Sequence, residues 1–310
     1  MKSVQAVKYF ILEIVIFLTF PWNGLFGEPI AEHVVVVGID GCRPELILEA
    51  GGPMVESLWK EGAYTLKAQA VLPSVTHVNF ASILSGSIPE KHGINERDWD
   101  KGGEIPKVKV TTVFEVVAKN GMKAAGFFGH EKLYPSEVDM EDVYIEHSPH
   151  NAIRAAEMAA DFLLSEKPQY CFVYMGDLDG AGHKYGWLSE EQYAAMENID
   201  KALGIIVSAL QDGGMWGKTV LMITADHGGH GKSHGEGTEE DVTIPFICLG
   251  PKVKKNYEIR SEIHNYDSAA IALYVLGIPI PKFLDGKPPL EIFESSSKKP
   301  LAKQAVPKIK

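Results

Sequence analysis

Cysteine is scarce: Cys42, Cys171 and Cys248 are the only three in 310 residues, an odd number with no paired spacing. A disulfide framework is therefore excluded as the organiser of the fold. Cys171 and Cys248 fall inside apolar, strand-like runs, where small buried thiols are common. Positive charge is also short, with 30 Lys and Arg against 41 Asp and Glu and a net charge of -11. That balance argues against a nucleic-acid backbone as a standing partner, since such binding draws on basic patches and counterion release. No internal repeat is present.

A long apolar run occurs at the N-terminus. Lys2 and Lys8 precede an apolar stretch from Tyr9 to Trp22, and Leu25-Phe26-Gly27 offers a cleavage point before Glu28. Residues 1–27 read as a signal peptide or, because Glu13 and Pro21 interrupt the run, as a membrane anchor. The expected location is outside the cytoplasm, periplasmic, extracellular or tethered to a membrane. Residues 28–294 read as one large domain, and the Lys/Ser/Pro-rich stretch 295–310 as a disordered tail.

From His33 onward, strand and helix patterns alternate. Strands are expected at His33–Asp40, Tyr64–Leu72, Ala124–Phe128, Tyr170–Met175, Thr219–Thr224 and Val242–Leu249. Helices are expected at Pro44–Glu49, Val75–Ser85, Val113–Lys119, Asn151–Leu164, Ser189–Leu210 and Asp267–Leu276, with Ser189 as an N-cap. Such alternation implies an α/β fold with a mostly parallel central sheet and helices on both faces. The more polar stretch 95–149 reads in part as a small cap insertion over the strand edge.

Four stretches end an apolar run with groups that bind metals: VVVVGIDG at Val34–Gly41, LPSVTHVNF at Leu72–Phe80, FVYMGDLDGAGH at Phe172–His183 and MITADHGGHGKSHG at Met222–Gly235. In an open α/β sheet, ligands gather beyond the carboxyl ends of the strands. Asp40, Asp177 or Asp179, and Asp226 would meet there. Two unit charges about 4 Å apart repel by roughly 4 kcal/mol at an effective dielectric near 20, so such a cluster calls for divalent cations. Asp179 and His183 are spaced to share one helical face. Asp226 and His227 sit together at a strand end, and His230 or His234 adds a further nitrogen. Imidazoles beside carboxylates favour zinc. Thr76, at an expected helix start, is either a helix cap or a nucleophile whose alkoxide a cation and the helix dipole would stabilise.

The order IDG-x-R-P, PS-x-T-x-x-N, SG-x-x-PE-x-HGI, D-x-x-GH-x-x-G, ADHG, then HG and D-x-x-IP, resembles the alkaline phosphatase superfamily, and within it the type I phosphodiesterase/nucleotide pyrophosphatase family. The resemblance spans roughly Val34 to Pro281. It implies an alkaline phosphatase-like fold, a small anionic phosphate-ester substrate and two zinc ions (Zn2+) per chain. Asp179, His183 and His234 would hold one, and Asp40, Thr76, Asp226 and His227 would surround the other. Thr76 would attack phosphorus and form a phosphothreonine. Relatives carry an asparagine after HG-I that contacts a phosphoryl oxygen. Counting from Thr76 puts Arg97 at that place and Asn95 two residues earlier, and Arg97 would suit a more anionic monoester.

Three rivals share parts of this pattern. A phosphomutase would use manganese (Mn2+) at the same residues but needs a second phosphate-holding domain, and none is evident. A sulfatase motif begins at Cys42-Arg43-Pro44-Glu45 but breaks at Leu46. A metal-stabilised binding protein would have no use for Thr76.

Overall fold

A computed structural model describes residues 28–95, 107–129, 140–147 and 151–294. Among these residues eight strands form one sheet in the order β4-β3-β5-β1-β6-β7-β2-β8. They are β1 (His33–Ile39), β2 (Ala63–Gln69), β3 (Ala124–Phe128), β4 (Val143–His147), β5 (Tyr170–Met175), β6 (Thr219–Ala225), β7 (Thr243–Leu249) and β8 (Tyr257–Glu258). Only the β6–β7 and β7–β2 pairings are antiparallel, so β7 runs against the other seven. The mostly parallel sheet is as the sequence pattern predicts.

β1, β5 and β6 are buried along their whole lengths. Strands covered on both faces have no polar face to present, which explains their unbroken Val, Ile, Met and Tyr runs. Each such side chain removed from water contributes roughly 1.5–3 kcal/mol. The helices are α1 (Pro44–Ala50), α2 (Pro53–Glu61), α3 (Thr76–Ser85), α4 (Pro89–His92), α5 (Val113–Lys119), α6 (Ala152–Glu166), α7 (Asp177–Tyr185), α8 (Glu190–Asp212), α9 (Glu239–Val242) and α10 (Asp267–Val275). Eight of them form two packed groups: α1, α2, α6 and α7 gather on α8, while α3, α5 and α10 pack on one another.

Sequence signals set several boundaries. Asn151 caps α6 by accepting the Arg154 N–H, and Ser189 caps α8 by accepting the Gln192 N–H. Thr112 and Glu115 form a reciprocal capping box on α5. β2 stops at Gln69 rather than Leu72, because the chain peels away there. The Val71 N–H bonds Asn79 Oδ1 (2.8 Å) instead of a strand. Within 95–149, β3 and β4 are strands of the central sheet and α5 packs against them; residues 96–106, 130–139 and 148–150 lie outside the described residues, as do 1–27, read above as a leader, and 295–310, read above as a tail. Among the described residues no helix is long and apolar enough to cross a membrane.

Candidate metal centre and nucleophile

Register brings the site together. Ile39 of β1 pairs with Met175 of β5 and with Ala225 of β6, so three strands end level. Asp40 and Asp226 are the next residues along β1 and β6, and β5 leads through Gly176 into α7, which carries Asp179 and His183. The His183 Nε2 lies 3.3 Å from Asp179 Oδ1, as an i, i+4 pair should. His227 Nε2 lies 3.3 Å from Asp40 Oδ1, 3.2 Å from Asp226 Oδ2 and 3.1 Å from Thr76 Oγ1. His234 stacks on His227 with ring centroids 3.7 Å apart, and its Nε2 lies 3.7 Å from Asp179 Oδ1. Asp40, Thr76, Asp179, His183, Asp226, His227 and His234 thus share one centre.

Two sets of ligand atoms lie within 4.8 Å of one another: those of Asp40, Asp226 and His227, and those of Asp179, His227 and His234. His227 is common to both. His183 stands beside the second set, with its side chain 43% exposed, so the mouth of the site is on its side.

The donor set fits divalent cations. Asp40 Oδ2 accepts the Tyr174 hydroxyl (2.7 Å), whereas its Oδ1 accepts no hydrogen bond. Asp226 Oδ1 accepts the Gly41 and His227 N–H groups (3.1 and 2.9 Å), whereas its Oδ2 accepts none. Each carboxylate is anchored by one oxygen and offers the other inward. The histidines follow the same logic. Nδ1 of His227, His183 and His234 lies 2.8, 3.0 and 2.9 Å from the carbonyls of Gly228, Lys232 and Ser74. A carbonyl only accepts, so each Nδ1 is the donor, and each ring turns its Nε2 toward the centre.

Electrostatics point the same way. Burial, then the charges of Asp226 and Asp179, push the Asp40 carboxyl well above its ordinary range. Burial and Asp179 do the same to Asp226, and burial with the Asp40 charge raises the Tyr174 phenol. Buried carboxylates left uncompensated would take up protons; cations among them remove that cost.

The alternatives left open by spacing differ in where the structure places them. Asp177 turns away: its carboxylate accepts the Ala152 N–H (2.6 Å) and the Asn198 amide (3.0 Å). His230 also turns away, with Nδ1 2.8 Å from Asp241 Oδ1. Thr76 is the first residue of α3 rather than its cap; Val75 takes the cap position and supplies no side-chain bond, leaving the helix N-terminus open toward the site. Asn95 is exposed and Arg97 lies outside the described residues. Cys42, Cys171 and Cys248 are buried free thiols, held protonated by burial.

Supporting residues were less visible. Asn79, in the PS-x-T-x-x-N motif, is fully buried; its amide donates to the Val71, Pro73 and Val75 carbonyls and its oxygen accepts the Asn265 amide. It thereby shapes the arch carrying Ser74 and Thr76. Asp241 Oδ2 accepts three N–H groups, from Gly235, Glu236 and Gly237, and so holds the loop that carries His234. Tyr174, which lies within the strand expected at Tyr170–Met175, orients Asp40 through its hydroxyl. His92 of the HGI motif accepts the Ile94 N–H (3.1 Å) and bonds Ser82 Oγ (2.9 Å), fixing the turn before Asn95.

Known proteins resemble this chain in sequence and in fold. The sequence profile described as type I phosphodiesterase/nucleotide pyrophosphatase matches residues 34–236. Human ectonucleotide pyrophosphatase/phosphodiesterase family member 1 is 26% identical over 226 residues, covering 63% of this chain and 23% of that protein. Venom phosphodiesterase from Macrovipera lebetinus is 28% identical over 215 residues, covering 63% and 25%. The chain thus matches about a quarter of the length of these curated relatives. Murine ectonucleotide pyrophosphatase/phosphodiesterase 5, solved as an inactive threonine-to-alanine variant in complex with AMP, superposes with a TM-score of 0.69 at 14% identity, over 81% of this chain and 96% of that one. A 2-O GAG sulfatase superposes with a TM-score of 0.68 at 15% identity, over 84% and 74%. At those identities the two structures share the fold. With the profile matching well over half of its residues, the chain belongs to the type I phosphodiesterase/nucleotide pyrophosphatase family.

Proposed function

We propose that this chain is a two-zinc phosphoric-ester hydrolase, acting on small phosphodiesters and nucleotide pyrophosphate-type substrates through a phosphothreonine intermediate. The observation that carries the reading is Thr76 Oγ1, 3.1 Å from His227 Nε2, at the open N-terminus of α3 and beside buried carboxylates that offer unbonded oxygens. A hydroxyl there serves neither as a cap nor as packing.

Asp179, His183 and His234 would hold one cation, and Asp40, Asp226 and His227 the other, next to Thr76. Bound zinc would supply Lewis acidity, lowering the hydroxyl pKa and neutralising the phosphoryl oxygens. Thr76 Oγ attacks phosphorus in line with the leaving alcohol or nucleotide, whose P–O bond breaks as the threonine ester forms. Water then cleaves that ester and restores the hydroxyl. The first N–H groups of α3 face the phosphoryl oxygens, as helix N-termini do with anions. Asn95 or Arg97 would donate to a non-bridging oxygen. The AMP held by the murine relative, and the threonine-to-alanine change in its inactive form, support both the substrate class and the nucleophile. The ecto- and venom names of the relatives support a location outside the cytoplasm, consistent with the apolar leader.

The test is release of nitrophenol from bis- and mono-nitrophenyl phosphate, with and without a chelator, alongside metal analysis. The diester should be cleaved, cleavage should stop on chelation and return with zinc, and Thr76→Ala should lose about 10⁴-fold or more while keeping its metal. Monoester preference would assign the anion-binding role to Arg97. Activity surviving in Thr76→Ala would overturn the nucleophile, and a chain that cleaves neither ester would overturn the enzyme reading.

A further inference from the structure

We propose that Trp187 is a positioning residue of the metal centre: its indole is the wedge that fixes the His183 and His234 rings for the cation beside Asp179. The inference rests on reading the site as a metal centre.

Trp187 follows α7 directly after Gly186 and is 8% exposed. Its Nε1–H donates to the carbonyl of Gly41 (3.0 Å), the residue after Asp40. Its backbone N–H donates to the Gly231 carbonyl (2.8 Å), in the loop between His227 and His234. The ring lies edge-on to His183, centroids 5.3 Å apart at 85°, and to His234, 5.8 Å apart at 60°. The three segments that supply inward-facing ligands to the centre therefore meet on one side chain.

The neighbours of the indole make room for it. A Cβ on Gly229 would come within 2.2 Å of the ring and one on Gly182 within 2.8 Å, so the loop after His227 and the turn of α7 before His183 both need glycine where they cross the indole. A carbonyl bond to Nδ1 fixes the tautomer of an imidazole but leaves the ring free to pivot about that bond. His183 has most need of a stop, because its side chain is 43% exposed while its Nε2 must face Asp179. The indole edge supplies the stop, and the Gly41 carbonyl holds the indole. Supports of this kind outside the ligand set are commonly worth tenfold to a hundredfold in metal affinity.

The experiment is zinc titration of the chelated full chain, wild type against Trp187→Phe and Trp187→Leu, by calorimetry and by tryptophan emission, with Trp216→Phe as a control. Trp187→Phe keeps a ring but loses the bond to Gly41. Its affinity for the zinc beside Asp179 should fall about tenfold, and that of Trp187→Leu further toward a hundredfold. Excess zinc should restore kcat at unchanged KM, and the thermal midpoint of the chelated Phe variant should stay near wild type; a purely structural role would lower that midpoint and resist zinc. Emission should change on zinc addition in wild type and Trp216→Phe but not in Trp187→Phe. Wild-type zinc affinity in both Trp187 variants overturns the inference. So does an emission unaffected by zinc in wild type that demonstrably binds it, even if the variants fail to fold. Wild type that binds no zinc overturns the metal centre itself.

Discussion

Asp226→Asn should act in opposite directions on the protein with and without metal. The amide oxygen can keep both bonds that Asp226 Oδ1 accepts, from the Gly41 and His227 N–H groups. The amide nitrogen takes the place of Oδ2, 3.2 Å from His227 Nε2, where an N–H donor is welcome. Shape and hydrogen bonds survive, and one buried charge goes. The ligand oxygens of Asp40 and Asp226 lie within 4.8 Å of each other, and at an effective dielectric near 20 two unit charges at that separation repel by roughly 3.5 kcal/mol. In chelator at neutral to alkaline pH, the variant should therefore be more stable than wild type by about that amount, or about 7 °C at about 2 °C per kcal/mol. The gain depends on pH. Burial first, then neighbouring charge, raises both carboxyls above the ordinary value of 3.8, so the native state takes up protons that the unfolded chain has lost. Stability tied to these groups is complete below 3.8 and is lost as pH rises through the raised folded values. The advantage of asparagine should thus be small near pH 4 and grow upward. With zinc the order reverses, because a cation present at a thousand times its Kd adds about 4 kcal/mol to wild type and the variant has lost a ligand. The assay is thermal unfolding in EDTA and in zinc across pH. Equal destabilisation by Asp226→Asn in both media would refute the charge argument and leave Asp226 a strand-end tether.

Four further substitutions separate the proposed ligands from their neighbours. Asp177→Ala removes the bonds to Ala152 N–H and Asn198 and should cost about 1–2 kcal/mol in urea unfolding while leaving zinc content intact; loss of zinc would reassign the carboxylate. The bond to Asp241 raises His230 above its ordinary 6.5, so its contribution is complete below that pH and disappears as pH rises through the higher folded value. His230→Gln should flatten the stability profile above pH 6.5 with zinc retained, whereas His234→Gln should lose zinc, and equal zinc loss from both would undo the choice between them. Gly41 has φ +69, and a Cβ there would lie 2.9 Å from Asp179 Cα. Gly41→Ala should cost about 1–2 kcal/mol for the left-handed backbone and weaken zinc binding as Asp179 is pushed back, which calorimetry can check.

Periodicity disclosed the fold wherever the whole strand is buried. β3 and β5 fall at the expected residues, and β1 and β6 within one residue of them, because strands covered on both faces have to be apolar throughout. β4 escaped notice for the same reason reversed: VYIEH is an edge strand, exposed or half-buried along its length, and its composition matches the polar stretch around it. α2 was missed because Gly51-Gly52-Pro53 reads as a break, although Pro53 is a permitted first helical residue.

The side chains that converge on the candidate site were legible in the sequence and their supports were hidden, and the difference is chemical. A ligand must be a carboxylate, imidazole or hydroxyl, so its identity survives in the one-letter code. A support has only to supply a carbonyl, and any residue has one. Ser74, Gly228 and Lys232 set the tautomers of three histidines through their backbones, and no side chain at those positions advertises it. Asp177 shows the converse. It has the residue type of a ligand and sits two positions from one, but at the start of α7 it faces the N-terminus of α6 and answers an orphan N–H there. Residue type fixes which groups could bind a cation; the carbonyls and N–H groups of the surrounding loops and helix starts set which of them turn toward the candidate site.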